Sequence, residues 1–260
     1  MKIGVIGLGL IGGSIFKCLK DKHQVVGISR TLEMENVSSD YESLKDCNLI
    51  FVCSPMNATL EVLDKLNTIL PKETVVTDVC SLKDFVSKKK YSFNFIPSHP
   101  MAGTENSGWE YSFAELFNGA TWAITPIEGV NEGVNEGVNE GVEILKNVII
   151  QLGAKPLITT AVEHDKAVAM ISHFPLVVAQ ALCETVKDNE LAQALASSGF
   201  KDTTRLALSN LEMAQDMVEF NKENIEIALQ KFNESISKLL TQDYREVATK
   251  IKEFRKNLYS

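Results

Sequence analysis

The sequence predicts an α/β protein with a doubly wound parallel sheet in its first half and an all-helical second half. Short apolar segments alternate with helical segments through residue 125, whereas strand signals almost disappear after Thr160. Strand–helix alternation implies right-handed crossovers and parallel strands. We therefore expect two domains, residues 1–156 and residues 157–260.

The predicted strands are short, continuously apolar, and rich in β-branched or aromatic residues. A strand without a polar face is typical of the centre of a sheet that is covered on both sides. Helices are predicted between the strands, over 11–21, over 57–69 and in a short segment after Ser81. The strands are predicted over 2–6, 24–28, 48–53, 74–78, 92–96 and 120–125.

Residues 128–143 repeat a four-residue unit, EGVN, with a final EGVE. So short a period is typical of a low-complexity expansion rather than of a stacked structural repeat. Each glycine inside a helix costs about 1 kcal/mol relative to alanine. We expect a solvent-facing, frayed extension of the next predicted helix, 142–152, and no functional element.

The C-terminal region carries apolar residues at steps of three and four, which predicts one long amphipathic helix or two joined ones. Such a stripe must pack on its own domain or on a second subunit, and both alternatives are open. A homodimer built on these helices is the second alternative. The stripe consists of Ile225, Leu229, Phe232, Ile236, Leu240, Tyr244, Val247, Ile251, Phe254 and Leu258.

The composition is that of an ordinary soluble globular protein, with 45% hydrophobic and 23% charged residues. The 26 basic and 34 acidic side chains give a net charge of −8, and no basic cluster is present. This balance argues against nucleic acid and anionic membranes as partners. We find no apolar run near 18 residues and no signal-peptide profile. Five cysteines without CxxC spacing indicate reduced thiols in a cytoplasmic protein, and we predict no metal site.

A glycine-rich hexapeptide directly follows the first predicted strand and opens a helix. The first glycine permits a tight turn, the second lets a pyrophosphate approach the backbone, and the third allows close packing of helix and sheet. The helix N-terminus adds a positive dipole. The position of the motif predicts a Rossmann-type dinucleotide-binding domain. The hexapeptide consists of Gly7, Leu8, Gly9, Leu10, Ile11 and Gly12.

The end of the second predicted strand distinguishes NADP from NAD. NAD sites usually have a carboxylate there, which binds the ribose 2′-hydroxyl. Here Ser29, Arg30 and Thr31 follow the strand. A hydroxyl and a guanidinium suit a 2′-phosphate, so we favour NADP. Glu33 and Glu35 are close enough to keep NAD open as the cofactor.

His99 follows a predicted strand, in a loop at the carboxyl end, where open α/β sheets bind their ligands. A histidine there can act as a general base near neutral pH. We expect the third strand to end in a wall of the cofactor groove formed by Cys53, Ser54 and Pro55. His164 flanks a predicted element and is expected to be solvated.

Three segments together resemble the prephenate/arogenate dehydrogenase family of tyrosine biosynthesis: GLGLIGG at 7–13, SHPMAGTENSGW at 98–109 and GFKDTTR at 199–205. The likeness covers nearly the whole chain. It implies a Rossmann domain followed by a helical dimerisation domain. It also implies a small-molecule substrate, prephenate or arogenate, that is oxidised by hydride transfer to a nicotinamide and loses CO₂.

The resemblance assigns roles to four residues. His99 matches the histidine that takes the proton of the substrate 4-hydroxyl. Ser81 looks like the serine that positions this histidine, and Arg205 like the arginine that holds a substrate carboxylate. Glu105 occupies the acidic position after HPMAGT and is expected to tune or gate the site.

The chain departs from the family pattern in one place. In ISHFPL, residues 171–176, Leu176 stands where the family commonly has a second histidine. This change bears on the discrimination between prephenate and arogenate. His173 is either a substrate contact or a hydrogen-bonded core histidine.

Two other functional classes remain open at this point. A two-domain hydroxyacid or imine dehydrogenase would share the architecture but would give Arg205 and the HPMAGTE loop no specific task. A dinucleotide-sensing module without turnover would need only the glycine loop. The presence of His99, Ser81 and Arg205 together argues against such a module.

Overall fold

The computed structural model describes residues 1–104, 106–127 and 135–259, and residues 135–139 by their backbone only. Glu105 and most of the EGVN repeat lie outside the described residues. Helix α4 (Asn135–Gln151) includes the described end of the repeat, which thus extends the helix predicted over 142–152.

The N-terminal half is a six-stranded parallel sheet in the order β3-β2-β1-β4-β5-β6. This order reverses direction between β1 and β4, and the dinucleotide-binding crevice of a doubly wound sheet lies at such a reversal. The predicted Rossmann-type fold is confirmed. The strands are β1 (Lys2–Ile6), β2 (Gln24–Ile28), β3 (Val37–Ser38), β4 (Leu49–Val52), β5 (Val75–Asp78) and β6 (Asn94–Phe95).

Helices cover both faces of this sheet, which is why β4 is buried along its whole length. On one face α1 (Leu10–Leu19) and α4 (Asn135–Gln151) enclose one apolar cluster. On the other face α2 (Met56–Asn67) encloses a second, and α3 (Asp84–Ser87) follows β5.

The strand predicted over 120–125 forms, but in a separate three-stranded sheet. Here β7 (Ser98–Pro100) pairs antiparallel with β8 (Thr121–Ile124), and β8 pairs parallel with β9 (Lys155–Ile158). The expected domain boundary at residue 156 falls within β9. The small sheet lies at the carboxyl end of β5, because Ser98 of β7 hydrogen-bonds to residues of β5.

After β9 the described chain is helical to Leu258, as the sequence predicts. The C-terminal apolar stripe forms two helices, α10 and α11, rather than one. The helices of this half are α5 (Ala161–Val168), α6 (Phe174–Val186), α7 (Glu190–Leu195), α8 (Ser198–Thr203), α9 (Leu211–Phe220), α10 (Lys222–Thr241) and α11 (Tyr244–Leu258).

A single π-helical turn, Ala169–His173, joins α5 to α6. Contrary to the expectation of no apolar run near 18 residues, the continuous helix Ala161–Val186 contains an 18-residue window of mean hydropathy 1.5. By length and composition alone it could cross a membrane. Core helices of soluble proteins pass the same criterion, and this helix packs on α10 and carries the buried polar side chains of His164, Asp165 and His173.

Candidate active site

The glycine loop has the geometry that a dinucleotide requires. Gly7 has φ = +83°, and a Cβ there would lie 2.6 Å from the carbonyl oxygen of Cys53. A Cβ on Gly12 would overlap the carbonyl oxygen of Gly7, so the helix can approach the loop only with glycine at position 12. At Gly9 a Cβ would meet no atom within 4 Å. Together with the α1 N-terminus, which no side chain caps, this open space fits a pyrophosphate.

Ser29 lies directly after β2, where its Oγ accepts hydrogen bonds from the N–H groups of Thr31 (3.2 Å) and Leu32 (3.1 Å). These bonds order the turn and leave the hydroxyl proton of Ser29 for another acceptor. Arg30 is exposed and makes no ion pair with a described residue. Its charge reaches Tyr41, where it opposes the rise of the phenol pKa that burial causes.

Cys53 continues from β4 and lies against Gly7 and Gly12, which places Cys53, Ser54 and Pro55 beside the glycine loop. Burial raises the pKa of the Cys53 thiol, so the thiol stays protonated and unreactive. The hydroxyl of Ser54 bonds to Thr59 Oγ1 at 2.9 Å. This segment fits a packed wall rather than a nucleophile.

Ser98, the residue before His99, is fully buried and held from several sides. Its Oγ lies 2.7 Å from Thr77 Oγ1, donates to the carbonyl oxygen of Asp78 (3.0 Å) and accepts from Trp122 Nε1 (2.9 Å). Lys83 Nζ donates to the Ser98 carbonyl oxygen at 2.8 Å. The backbone that carries His99 is therefore fixed at the carboxyl edge of the sheet.

A buried ion pair supports this anchor. The side chains of Lys83 and Asp78 are both fully buried and in direct contact. Asp78 also accepts from the backbone N–H of Cys80 (2.9 Å) and of Ser98 (3.3 Å). Buried charges persist only when their hydrogen bonds are satisfied, as they are here. Lys83 is not among the site residues predicted from the sequence, although its position five residues after a strand-ending aspartate is visible there.

His99 is partly exposed, and its Nδ1 lies 3.0 Å from His164 Nε2. Its other ring nitrogen, Nε2, has no hydrogen-bond partner among the described residues. Burial, and secondarily the charges of His164, Lys83 and His173, hold the pKa of His99 well below its usual value. A neutral imidazole with an available nitrogen can accept a proton.

The expectation that His164 is solvated is wrong, because its side chain is only 4% exposed. The cause is α5, which begins at a Thr160 cap and turns His164 and Asp165 towards the N-terminal domain. Asp165 accepts from His164 Nδ1 (2.7 Å) and from the backbone N–H groups of Lys83 (2.9 Å) and Asp84 (2.8 Å). The adjacent His-Asp pair in the sequence was the available signal.

The other candidates lie in different surroundings. Ser81 is partly exposed, and no hydrogen bond joins it to His99 in the described structure. Arg205 is exposed on a 3₁₀ turn, Arg205–Leu208, that packs on α6, and among the described residues no hydrogen bond or ion pair joins it to the His99 cluster. Glu105 is outside the described residues.

His173 is a core histidine rather than an exposed ligand. It is fully buried, and its Nδ1 accepts from Asn221 Nδ2 at 3.0 Å. Burial lowers its pKa to about 4. Leu176, at the position of the family's second histidine, is buried with Ala214 and Met217.

Comparison with known protein families agrees with this arrangement. A family model described as the prephenate dehydrogenase nucleotide-binding domain matches residues 18–157. A second, described as the prephenate dehydrogenase dimerization domain, matches residues 160–257. The chain belongs to the prephenate dehydrogenase family. The resemblance drawn from the sequence motifs is confirmed, as is the assignment to dehydrogenases at the level of the family.

Individual relatives extend across both halves of the chain. A prephenate dehydrogenase of Bacillus subtilis is 30% identical over 90% of this chain and 67% of the relative. One from Lactococcus lactis is 34% identical over 88% of this chain and 70% of the relative. A cyclohexadienyl dehydrogenase of Zymomonas mobilis is 29% identical over 92% of this chain and 87% of the relative.

Solved structures show the same fold. Synechocystis arogenate dehydrogenase superposes with a TM-score of 0.82 at 30% identity, covering 100% of both chains. Prephenate dehydrogenase from Aquifex aeolicus, solved with hydroxyphenyl propionate and NAD⁺, gives a TM-score of 0.79 at 26% identity, covering 100% of this chain and 96% of that one. NAD⁺ is thus bound by one relative with this fold, and in this chain the match to the dimerization domain follows the match to the nucleotide-binding domain.

Proposed function

We propose that this chain oxidises prephenate or arogenate, with His99 as the proton acceptor. The observation that carries the proposal is the position of His99. It is fixed at the carboxyl end of β5, whose neighbour in the sheet is β4, and β1 with the glycine loop lies on the other side of β4, at the same edge of the sheet. The dinucleotide supplies the hydride acceptor when bound.

The reaction consumes no proton at the ring oxygen, so the base that removes the hydroxyl proton must also return it. His99 takes the proton of the ring hydroxyl while hydride leaves the same carbon. The bond between the ring and the carboxylate then breaks and CO₂ departs. The electron pair of that bond stays with the ring and makes it aromatic. The ring oxygen ends as a phenol, so the proton held by His99 returns to that oxygen. The protonated imidazole of His99 gives this proton up readily, because its pKa is lowered.

Arg205 is proposed to bind a substrate carboxylate. The support is an exposed guanidinium without an ion pair among the described residues, in a protein of net charge −8. A guanidinium can hold a carboxylate through two parallel hydrogen bonds. Ser81 is proposed to orient the substrate hydroxyl, and Glu105 to gate the site.

NADP is proposed as the preferred cofactor. The support is Arg30, which follows β2 with no carboxylate immediately beside it, and the free hydroxyl proton of Ser29. Both could bind a 2′-phosphate.

The chain is further proposed to act as a cytoplasmic homodimer. Free thiols at all five cysteines support the compartment. Large apolar side chains left exposed on α10 and α11, including Leu240 (79% exposed) and Phe254 (66%), support a second copy as the partner.

A four-way assay tests the function, with prephenate and arogenate each combined with NAD⁺ and NADP⁺ and reduced cofactor followed by absorbance. We expect turnover with at least one substrate and a higher kcat/KM with NADP⁺. Arg30→Asp should shift that preference towards NAD⁺. Absence of turnover in all four combinations would contradict the proposed reaction, and an unchanged preference in Arg30→Asp would remove Arg30 from the cofactor site.

A further inference from the structure

His99, His164 and Asp165 form a continuous hydrogen-bonded chain. The His99 Nδ1 to His164 Nε2 distance is 3.0 Å, and the His164 Nδ1 to Asp165 Oδ1 distance is 2.7 Å. His164 and Asp165 are each only 4% exposed, so water does not compete for these contacts. The chain runs from the helical half of the molecule to the sheet edge.

The partners of Asp165 determine where the protons lie. Backbone N–H groups of Lys83 and Asp84 donate to its two carboxylate oxygens. A carboxylate that already receives these donors acts as an acceptor, so His164 carries a proton on Nδ1. When His164 is neutral, its Nε2 is then an acceptor. His99 must therefore donate from Nδ1, which leaves the lone pair on its Nε2.

We propose that His164, held by Asp165, is a positioning residue that keeps neutral His99 in the Nδ1–H tautomer with Nε2 free to take the substrate proton. The proposal rests on the function proposed above for His99. When Nε2 accepts the proton, the Nδ1 proton can pass to His164 Nε2. The positive charge then lies on the imidazole that contacts Asp165, and the reverse transfer restores the starting state.

The charges around the two imidazoles favour such a transfer. Lys83, in the segment before α3, carries a positive charge that disfavours a cation on His99. The carboxylate of Asp78 is paired with Lys83, whereas the carboxylate of Asp165 contacts the His164 ring directly.

The position of Asp165 is itself fixed from the helical side. Asn221 Nδ2 donates to the Asp165 carbonyl oxygen at 2.9 Å and to His173 Nδ1 at 3.0 Å. Asn221 in turn accepts from Asn224 Nδ2 at 2.8 Å. The carboxylate thus has little freedom to turn away from His164.

Two substitutions separate the acceptor role from the proton-carrying role. In His164→Gln an amide oxygen can replace Nε2 as the acceptor, but it cannot carry the proton. In His164→Leu neither role remains. We expect kcat to fall about 10²–10⁴-fold in His164→Leu, the range for lost general base catalysis, with KM nearly unchanged. The fall should be smaller in His164→Gln.

The decisive readout is the tautomer of His99, measured by long-range ¹H–¹⁵N NMR of the ring nitrogens without substrate. The chain has four histidines, so the spectrum is simple, and His23→Asn assists its assignment. We expect the Nδ1–H pattern for His99 in the wild type and in His164→Gln, and a shift towards Nε2–H in His164→Leu.

An Nε2–H pattern for His99 in the neutral wild type would overturn the proposal, and so would an unchanged tautomer and kcat in His164→Leu. If His164→Leu does not fold, the wild type and His164→Gln still decide the question. The tautomer is measured without turnover. A result that contradicts this proposal can therefore be told apart from a four-way assay that contradicts the proposed function.

Discussion

At the scale of single residues, His99 takes its properties from neighbours that are distant in sequence. Burial, and secondarily the nearby side chains of His164, Lys83 and His173, keep its pKa below the usual value, so it stays neutral at pH 7. A base must be neutral to act, so activity is lost only as the pH falls through this lowered pKa. We expect kcat/KM to be constant from pH 7 down to 6.5 and to fall at lower pH.

The pH dependence of kcat/KM in His99→Asn is to be compared with that of the wild type. We expect kcat to fall about 10²–10⁴-fold and the acidic limb to disappear. His23→Asn, at a partly exposed site beside Gln151, should retain the wild-type profile. A full rate in His99→Asn would assign the proton transfer to another group.

Arg205 gives the second prediction at this scale. Arg205→Ala should raise KM for the substrate about 10- to 100-fold, because a hydrogen bond to a charged group contributes about 1.5–3 kcal/mol. The value of kcat should change less. Arg205→Lys should recover part of the affinity, and Arg245→Ala on α11 serves as the control. An unaltered KM in Arg205→Ala would reject the carboxylate contact.

The sequence predicted the surroundings of some site residues but not of others. His99 could be located, because a histidine after a strand lies at the ligand-binding edge of a parallel sheet. The burial of His164 and Lys83 could not be read, because polar residues at element ends are usually solvated. Only contacts between β5, β7 and α5 show that these two side chains are enclosed.

At the scale of elements, two glycines of the β1–α1 turn serve different purposes, one in ligand binding and the other in folding. Gly9 has open space around a Cβ, whereas Gly12 has none. Gly12→Ala should lower the free energy of unfolding by roughly 1–3 kcal/mol, the usual cost of overpacking. Gly9→Ala should leave the unfolding midpoint unchanged and raise the dinucleotide Kd. Chemical denaturation and cofactor titration of both variants test this, and equal stability losses would contradict it.

The π-helical turn at the end of α5 makes stability depend on pH through His173. Its pKa in the folded chain is about 4, below the value of 6.5 in the unfolded chain. The unfolded chain therefore binds the proton first, and stability falls as the pH drops from 6.5 towards 4. Between pH 7 and pH 5 this amounts to about 2 kcal/mol, at 1.36 kcal/mol per pKa unit.

Urea denaturation at the two pH values measures the effect. His173→Asn keeps an oxygen acceptor for Asn221, and we expect the difference between pH 7 and pH 5 to shrink, whatever its absolute stability. His99 titrates in the same direction, so part of the difference should remain. An undiminished difference would show that His173 does not carry it.

Most elements could be predicted because their apolar periodicity is local. The strands β1, β2, β4 and β5 lie within the predicted ranges. β9 was missed, because Lys155-Pro156 lowers its strand signal and its pairing with β8 is long-range. Gly141 of the repeat allows α4 to approach Asn94 on β6 closely, a packing reason that the repeat pattern does not reveal.

At the scale of the whole molecule, the two halves meet where the proposed chemistry lies. Asp165 of α5 caps the backbone before α3, and Phe85 stacks on Phe220 with ring centroids 5.2 Å apart. Because β9 belongs to the sheet side, we propose that the domains divide after Ile158. The expected division at 156 differs from this by two residues.

Oligomeric state gives the last prediction. The stripe on α10 and α11 is largely exposed in one chain, so we expect a particle of twice 28.7 kDa in sedimentation equilibrium. Leu240→Glu combined with Phe254→Glu should shift it towards the monomer, because charges at a buried interface remain unpaired. Ile150→Glu, an exposed position on α4, should leave it unchanged. A wild-type monomer would contradict the dimer, and an unaffected dimer would place the interface elsewhere.

The amino-acid sequence alone determined the strand–helix alternation, the glycine turn before α1 and the position of His99, because each depends on neighbouring residues. The tertiary structure alone decided which side chains surround His99. The Asp165–His164 pair reaches it across 65 positions of the chain, and Lys83 is enclosed by packing that no local pattern encodes. Proton position and pKa depend on these distant contacts, so they follow from the folded arrangement of the chain.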